Sequence, residues 1–230
     1  MRQRARLFAF FLLVAIGAAS QCAQAANLTV NCDKKETIHK AVKLLVSTSP
    51  QGPNTITVSG SCRENISIQS MDRLTLITKN GASITDRSKG SLAVVAISDS
   101  HSVTVQGFTV TGGFVGVGCY NASVCYLTGN TVQAAIGFGV GVGGGSRAFL
   151  ESNVVQNSAF RGSTVEGGSQ MFSSNDVFQG SAAQGMVLEG SYFVATNSSF
   201  LNNGTGILSA SSNLLLHGGC LLYTSPSPRD

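Results

Sequence analysis

The chain has 230 residues, among them 27 glycines, four prolines and no tryptophan, with 11% charged side chains and a formal net charge of +4. So few charges exclude a charged disordered chain and a coiled coil, and glycine without a triplet repeat excludes collagen. Without the terminal Arg2, Arg4, Arg6, Arg229 and Asp230 the net charge is +1, which points to neither nucleic acid nor acidic lipid as a partner.

Residues Met1–Ala25 read as a secretory signal peptide. Arg2, Arg4 and Arg6 make a basic start, Leu7–Ala19 an apolar run, and Ala23-Gln24-Ala25 a cleavage site. The run is too short for a membrane span, which needs roughly 20 apolar residues, and no later stretch replaces it. The expected compartment is secreted: periplasmic, cell-surface or extracellular. The last eleven residues, Cys220 to Asp230, break every earlier pattern and resemble a translated sequencing adapter. That likeness sets the expected domain at 26–219, truncated at its C-terminal end.

Asp33 to Ser47 predicts a helix, with Ile38, Ala41, Val42 and Leu45 in one apolar stripe and Asp33/Glu36 spaced as a capping box. Pro50, Gly52 and Pro53 stop it. From Thr55 onward apolar residues alternate with period two in short runs bounded by Gly, Asn, Ser or Asp, which predicts strands.

Three ladders then recur at intervals of 21–23 residues. One runs Gly107, Asn130, Asn153, Asn175, Asn197, Gly218. A second runs Gly116, Gly139, Gly162, Gly185, Gly206, and a third Ser123, Ser146, Ser169, Ser191, Ser212. A unit of that length holds about three short strands and cannot bury its apolar face alone, but stacked copies can. The glycines mark positive-φ turns or close backbone approach. The asparagines form a ladder in which each side chain bonds to the next coil. The predicted fold is all-β, a single-stranded parallel solenoid with an N-terminal helix, about residues 33–48, over its open end.

Cys22 and Cys220 lie at the ends, leaving Cys32, Cys62, Cys119 and Cys125. An even count in an exported chain suggests two disulfides. Four cysteines allow three pairings; neighbouring strand ends favour Cys32–Cys62, and a turn favours Cys119–Cys125. A zinc site is the rival, without supporting C-x-x-C spacing or a nearby His.

On the ladders, the helix Thr37-Ile38-His39-Lys40-Ala41 and the strands Ile56-Thr57-Val58-Ser59-Gly60 and Glu64-Asn65-Ile66-Ser67-Ile68, the chain resembles right-handed parallel β-helix proteins of the pectin-lyase-like superfold. The likeness implies a right-handed helix and leaves the activity open, since this fold hosts lyases, hydrolases, esterases, tailspikes and adhesins. Its lyases use Asp-bound Ca²⁺ with a basic residue, and its hydrolases use clustered Asp.

From His101 to Gly219 the only charged residues are Arg147, Glu151, Arg161, Glu166, Asp176 and Glu189, with no Asp cluster. Glu166 and Glu189 each follow a ladder glycine by four residues. Strand parity turns both outward, one coil or ~5 Å apart, with Arg161 near. That spacing is close to a retaining glycosidase pair; solvated surface carboxylates are the plain reading, and Ca²⁺ or ligand binding a third. Gly139-Val140-Gly141-Val142-Gly143-Gly144 matches a nucleotide loop without the following helix, and Met171 and Met186 read as core. No cofactor is expected. Two functions follow: an exported β-helix that binds glycans or builds cell-surface structure, or a polysaccharide lyase or glycoside hydrolase whose catalytic coils lie beyond Gly219.

Overall fold

The computed structural model describes residues 25–222; the predicted leader, apart from Ala25, and the last eight residues lie outside the described residues. All strand pairing is parallel, in three sheets of nine, seven and eight strands. One coil shows the plan. Val124–Thr128 lies in the nine-stranded sheet, Thr131–Gln133 in the eight-stranded and Phe138–Val142 in the seven-stranded, before Arg147–Glu151 returns to the first. Each strand pairs with its equivalent one coil away, as in Cys125 with Ala148 and Val132 with Val155. The pairing runs on to Cys220–Leu222 beside Ser199–Leu201, three residues past the expected boundary.

The helix is Ile38–Thr48, starting five residues after the predicted Asp33. Cys32–Lys34 forms a 3-10 turn instead, Asp33 accepts from Ser61 N–H, and Glu36 accepts from Asn31 N–H. Thr37 caps the helix through Lys40 N–H. Glu64, in the connection between strands Ser61–Arg63 and Ile66–Gln69, accepts from Ile38 and His39 N–H at 2.9 Å each, placing a carboxylate at the positive end of the helix dipole. Ile38, Ala41, Val42 and Leu45 are buried as the stripe predicts, against the first strands of the stack.

The core is the interior of the solenoid. Inward columns such as Ile97, Cys119, Val142, Val165 and Leu188 interlock with Val132, Val155, Phe178 and Phe200 from the eight-stranded face. Phe178 and Phe200 stack at 4.9 Å. Met171 and Met186 are fully buried core residues. The bridges are Cys32–Cys62 and Cys119–Cys125. The first, spanning 30 residues, ties the 3-10 turn to the eight-stranded face and contributes ~3 kcal/mol on the chain-entropy model.

The glycine ladder follows from close approach. A Cβ at Gly116, Gly139, Gly162 or Gly185 would stand within 2.7 Å of the carbonyl oxygen of the next glycine in the column, ending at Gly206. The serine ladder is two runs of hydrogen bonds: Ser123 N–H donates to Ser146 Oγ and Ser146 N–H to Ser169 Oγ, then, after Ser169 N–H turns to the Glu166 carbonyl, Ser191 N–H donates to Ser212 Oγ.

The asparagine ladder needs correction. Asn130 and Asn153 are buried, and Asn130 donates to Asn153 Oδ1 at 3.0 Å. Asn175 and Asn197 are exposed turn residues with φ of 55° and 51°, and the buried column continues one residue later through Asp176 and Ser198. The sequence alignment merges two adjacent columns. One is left-handed, through Gly129, Ser152, Asn175 and Asn197; the other is buried. Asn suits both.

Candidate functional site

The outer side of the seven-stranded face carries three columns across successive coils. The first runs Val115, Phe138, Arg161, Gln184, Thr205. The second runs Gly118, Gly141, Thr164, Val187, Leu208. The third, in the same register, runs Tyr120, Gly143, Glu166, Glu189, Ala210. The middle column is glycine in its first two coils and buried Thr164 and Val187 in the next two, and rises to Leu208, 47% exposed, in the last; over the first four coils the face is a groove along the solenoid axis, with the other two columns as walls.

Protein side chains partly fill this groove. Tyr120 lies across the glycine floor: a Cβ at Gly141 would meet its phenol oxygen at 2.5 Å. Its phenol is pushed up to about 12, first by burial and then by the negative charge of Glu166. Arg161 starts in the first column and ends with Nη1 4.0 Å from Glu189 Oε1 in the third, one coil on. It therefore crosses between Thr164 and Val187, which explains why these outward residues are only 2% and 0% exposed. Its guanidinium lies 4.7 Å from the Phe160 ring centroid and 5.7 Å from that of Phe138, within cation–π range.

Three buried polar atoms of the groove have no hydrogen-bond partner: Thr164 Oγ1, Arg161 Nε and Gln184 Oε1. Most buried polar groups are paired, and an orphan costs about 1–3 kcal/mol. All three are closed off by protein, so a polar occupant satisfies them only by displacing the side chains above them. Beside the first column, Phe114, Ile136 and Phe160 are about half exposed, and Phe114 packs edge-on against Phe138 at 5.5 Å.

The structure thus brings Glu166 and Glu189 into direct register with Arg161 beside them. Sequence reasoning missed Tyr120, Thr164 and Gln184; parity counted from Glu166 would have found Thr164, whereas Gln184, five residues before Glu189, has the parity of the core residues Met186 and Leu188. Among the described residues no cluster of Asp, Glu or His offers a metal cage. The one cysteine-containing group, Cys32, Cys62 and Glu64, is spent: the sulfurs bond each other and the carboxylate caps the helix. On the nine-stranded face Tyr126, Phe149 and Phe172 form a second aromatic column, but its rings stack on one another at 5.1 Å and 12°, so edges face solvent and the column reads as a structural ladder.

Residues 115–221 match the family model described as a right handed beta helix region. A search of curated proteins finds no match. Among solved structures, pectate lyase Pel9A is similar at 9% identity and a TM-score of 0.61, over 78% of this chain and 54% of that one. The present chain therefore spans about half the length of that relative. Pectate lyase Bsp165PelA from Bacillus sp. N165, in complex with trigalacturonate, is similar at 10% identity and a TM-score of 0.53, over 91% and 85%. Alginate lyase from Paenibacillus sp. str. FPU-7 gives 11% identity and 0.50, over 86% and 99%. At these identities the likeness is one of fold. By fold, the chain is a right-handed parallel β-helix.

Proposed function

We propose that the protein is an exported, non-catalytic β-helix that binds a polysaccharide along the groove of the seven-stranded face. The observation that carries this reading is the set of orphaned groups, Thr164 Oγ1, Arg161 Nε and Gln184 Oε1, on the floor and walls of a groove with aromatic flanks. Such a mixture of apolar wall and sparse polar groups suits a sugar chain. The polysaccharide-acting enzymes among its fold neighbours support the same class of partner. The two disulfides fit an oxidising compartment, and among the described residues no helix is long and apolar enough to cross a membrane. Affinity electrophoresis through gels loaded with different polysaccharides tests the reading: retardation by at least one is expected, and retardation by none refutes it.

A catalytic reading rests on the register pairing of Glu166 with Glu189 beside Arg161. It requires release of reducing or unsaturated sugars that Glu166→Gln or Glu189→Gln abolishes. Our reading expects no release, with or without Ca²⁺.

A further inference from the structure

The groove's charge and hydrogen-bonding pattern bear on which polysaccharide it takes, granted that it takes one. Acceptors dominate. Glu166 and Glu189 are exposed and adjacent in register, and Gln184 Oε1 is a buried acceptor without a donor. Thr164, 98% buried by its 2% exposure and pointing outward between these walls, has an unpartnered hydroxyl. The one cation of the groove, Arg161, is already engaged with two aromatic rings and with Glu189. No lysine follows Lys89 in the sequence. With Glu166 and Glu189 against Arg161 alone, the groove is net negative and favours a cationic occupant. A chain with a carboxylate on every sugar would bring like charges against Glu166 and Glu189, and like-charge juxtaposition is how interfaces reject partners.

We propose that the occupant is a linear glycan carrying free amino groups. Its ammonium groups meet the Glu166/Glu189 pair and take the place of Arg161 at Glu189, which opens Thr164 and Gln184 Oε1 to its hydroxyls, and its apolar sugar faces rest on the Phe138 wall. Strand spacing sets one coil at ~4.8 Å, so the two carboxylates present a repeat on the scale of successive sugars.

The test is binding at about pH 6. The probes are chitosan oligosaccharide, its fully N-acetylated counterpart, polygalacturonate with and without Ca²⁺, and oligolysine. Chitosan oligosaccharide should bind about tenfold tighter than the N-acetylated chain and lose about that factor in Glu166→Gln/Glu189→Gln. Glu151→Gln, on the nine-stranded face, should change nothing. Both groove glutamates are exposed, and a thermal melt confirms that the variant folds; added salt weakening wild-type binding gives a second, mutation-free readout. Equal binding of the N-acetylated chain, insensitivity to the double variant, or equal binding of oligolysine overturns the amino-sugar assignment. Preference for polygalacturonate overturns it too, while leaving the polysaccharide-groove reading standing. Binding of none of the glycans overturns both.

Discussion

Asn153 donates from Nδ2 to Asp176 Oδ1 at 2.9 Å, so a carboxylate occupies a rung of the buried ladder that amides fill in the coils before it. Asp176 is fully buried, and neither ion pair of the described residues includes it. Burial pushes its carboxyl up; hydrogen bonds from Ser173 and Asn153 pull the other way without cancelling the shift. A carboxyl raised above its unfolded value contributes stability that is present below about pH 3.9 and lost as pH rises through the folded value. Asp176→Asn should therefore stabilise the protein at pH 7, by about 1 kcal/mol or ~2–4 °C in Tm, with the gain shrinking in acid. Thermal melts across pH check this; destabilisation at pH 7 would mean that the acceptor to Ser173 matters more than the buried charge.

Gly162 has no room for a side chain. Its Cβ would meet the Gly185 carbonyl, with Ser181 Oγ at 3.0 Å, and backbone in a stacked coil cannot retreat. Gly162→Ala should cost about 1–3 kcal/mol through overpacking, whereas Gly168→Ala, with open space around it but φ of 72°, pays only for its backbone conformation. Denaturant unfolding of the two variants should rank them in that order.

Much of this was legible in the sequence, because a stacked solenoid must repeat: the 21–23-residue period, the glycine and serine columns and the outward glutamates all follow from spacing. The merged asparagine column was not, because a left-handed turn slot and a buried slot sit side by side and both accept Asn. The helix start was misplaced because its anion, Glu64, comes from 26 residues downstream, beyond any local capping pattern. The groove stayed hidden because its floor is set by Tyr120 folding over glycines one coil away. A glutamine ladder, Gln133, Gln156 and Gln179, joined at 3.0 Å per step, carried the same 23-residue signal and was overlooked.

Tyr120 supplies an alkaline signature. With its phenol at about 12, its contribution to stability is fully present below about pH 10 and is lost as pH rises through 12. Ultraviolet titration should show one tyrosine ionising late, and Glu166→Gln should bring that midpoint down by removing the nearby charge. Simultaneous ionisation of every tyrosine near 10 would contradict the placement of Tyr120 in the groove.

Asp86 behaves in the opposite way. Burial pushes its carboxyl up, but hydrogen bonds from Ser88 Oγ, Asn65 Nδ2 and the Gly90 and Ser88 N–H groups outweigh it and hold it at about 2. Its contribution is present above about pH 3.9 and lost as pH falls through 2. Amide exchange at Ser88 and Gly90 should accelerate over that acid window before the coils open, and Asp86→Asn should show faster exchange at neutral pH already.

The most direct measurement of the central claim compares two double variants in affinity electrophoresis. Phe138→Ala/Gln184→Ala strips the wall of the seven-stranded groove; Phe149→Ala/Phe172→Ala strips the aromatic column of the nine-stranded face. The account predicts that polysaccharide retardation is lost in the first and kept in the second. Retardation that survives the first variant, or disappears only in the second, would contradict it.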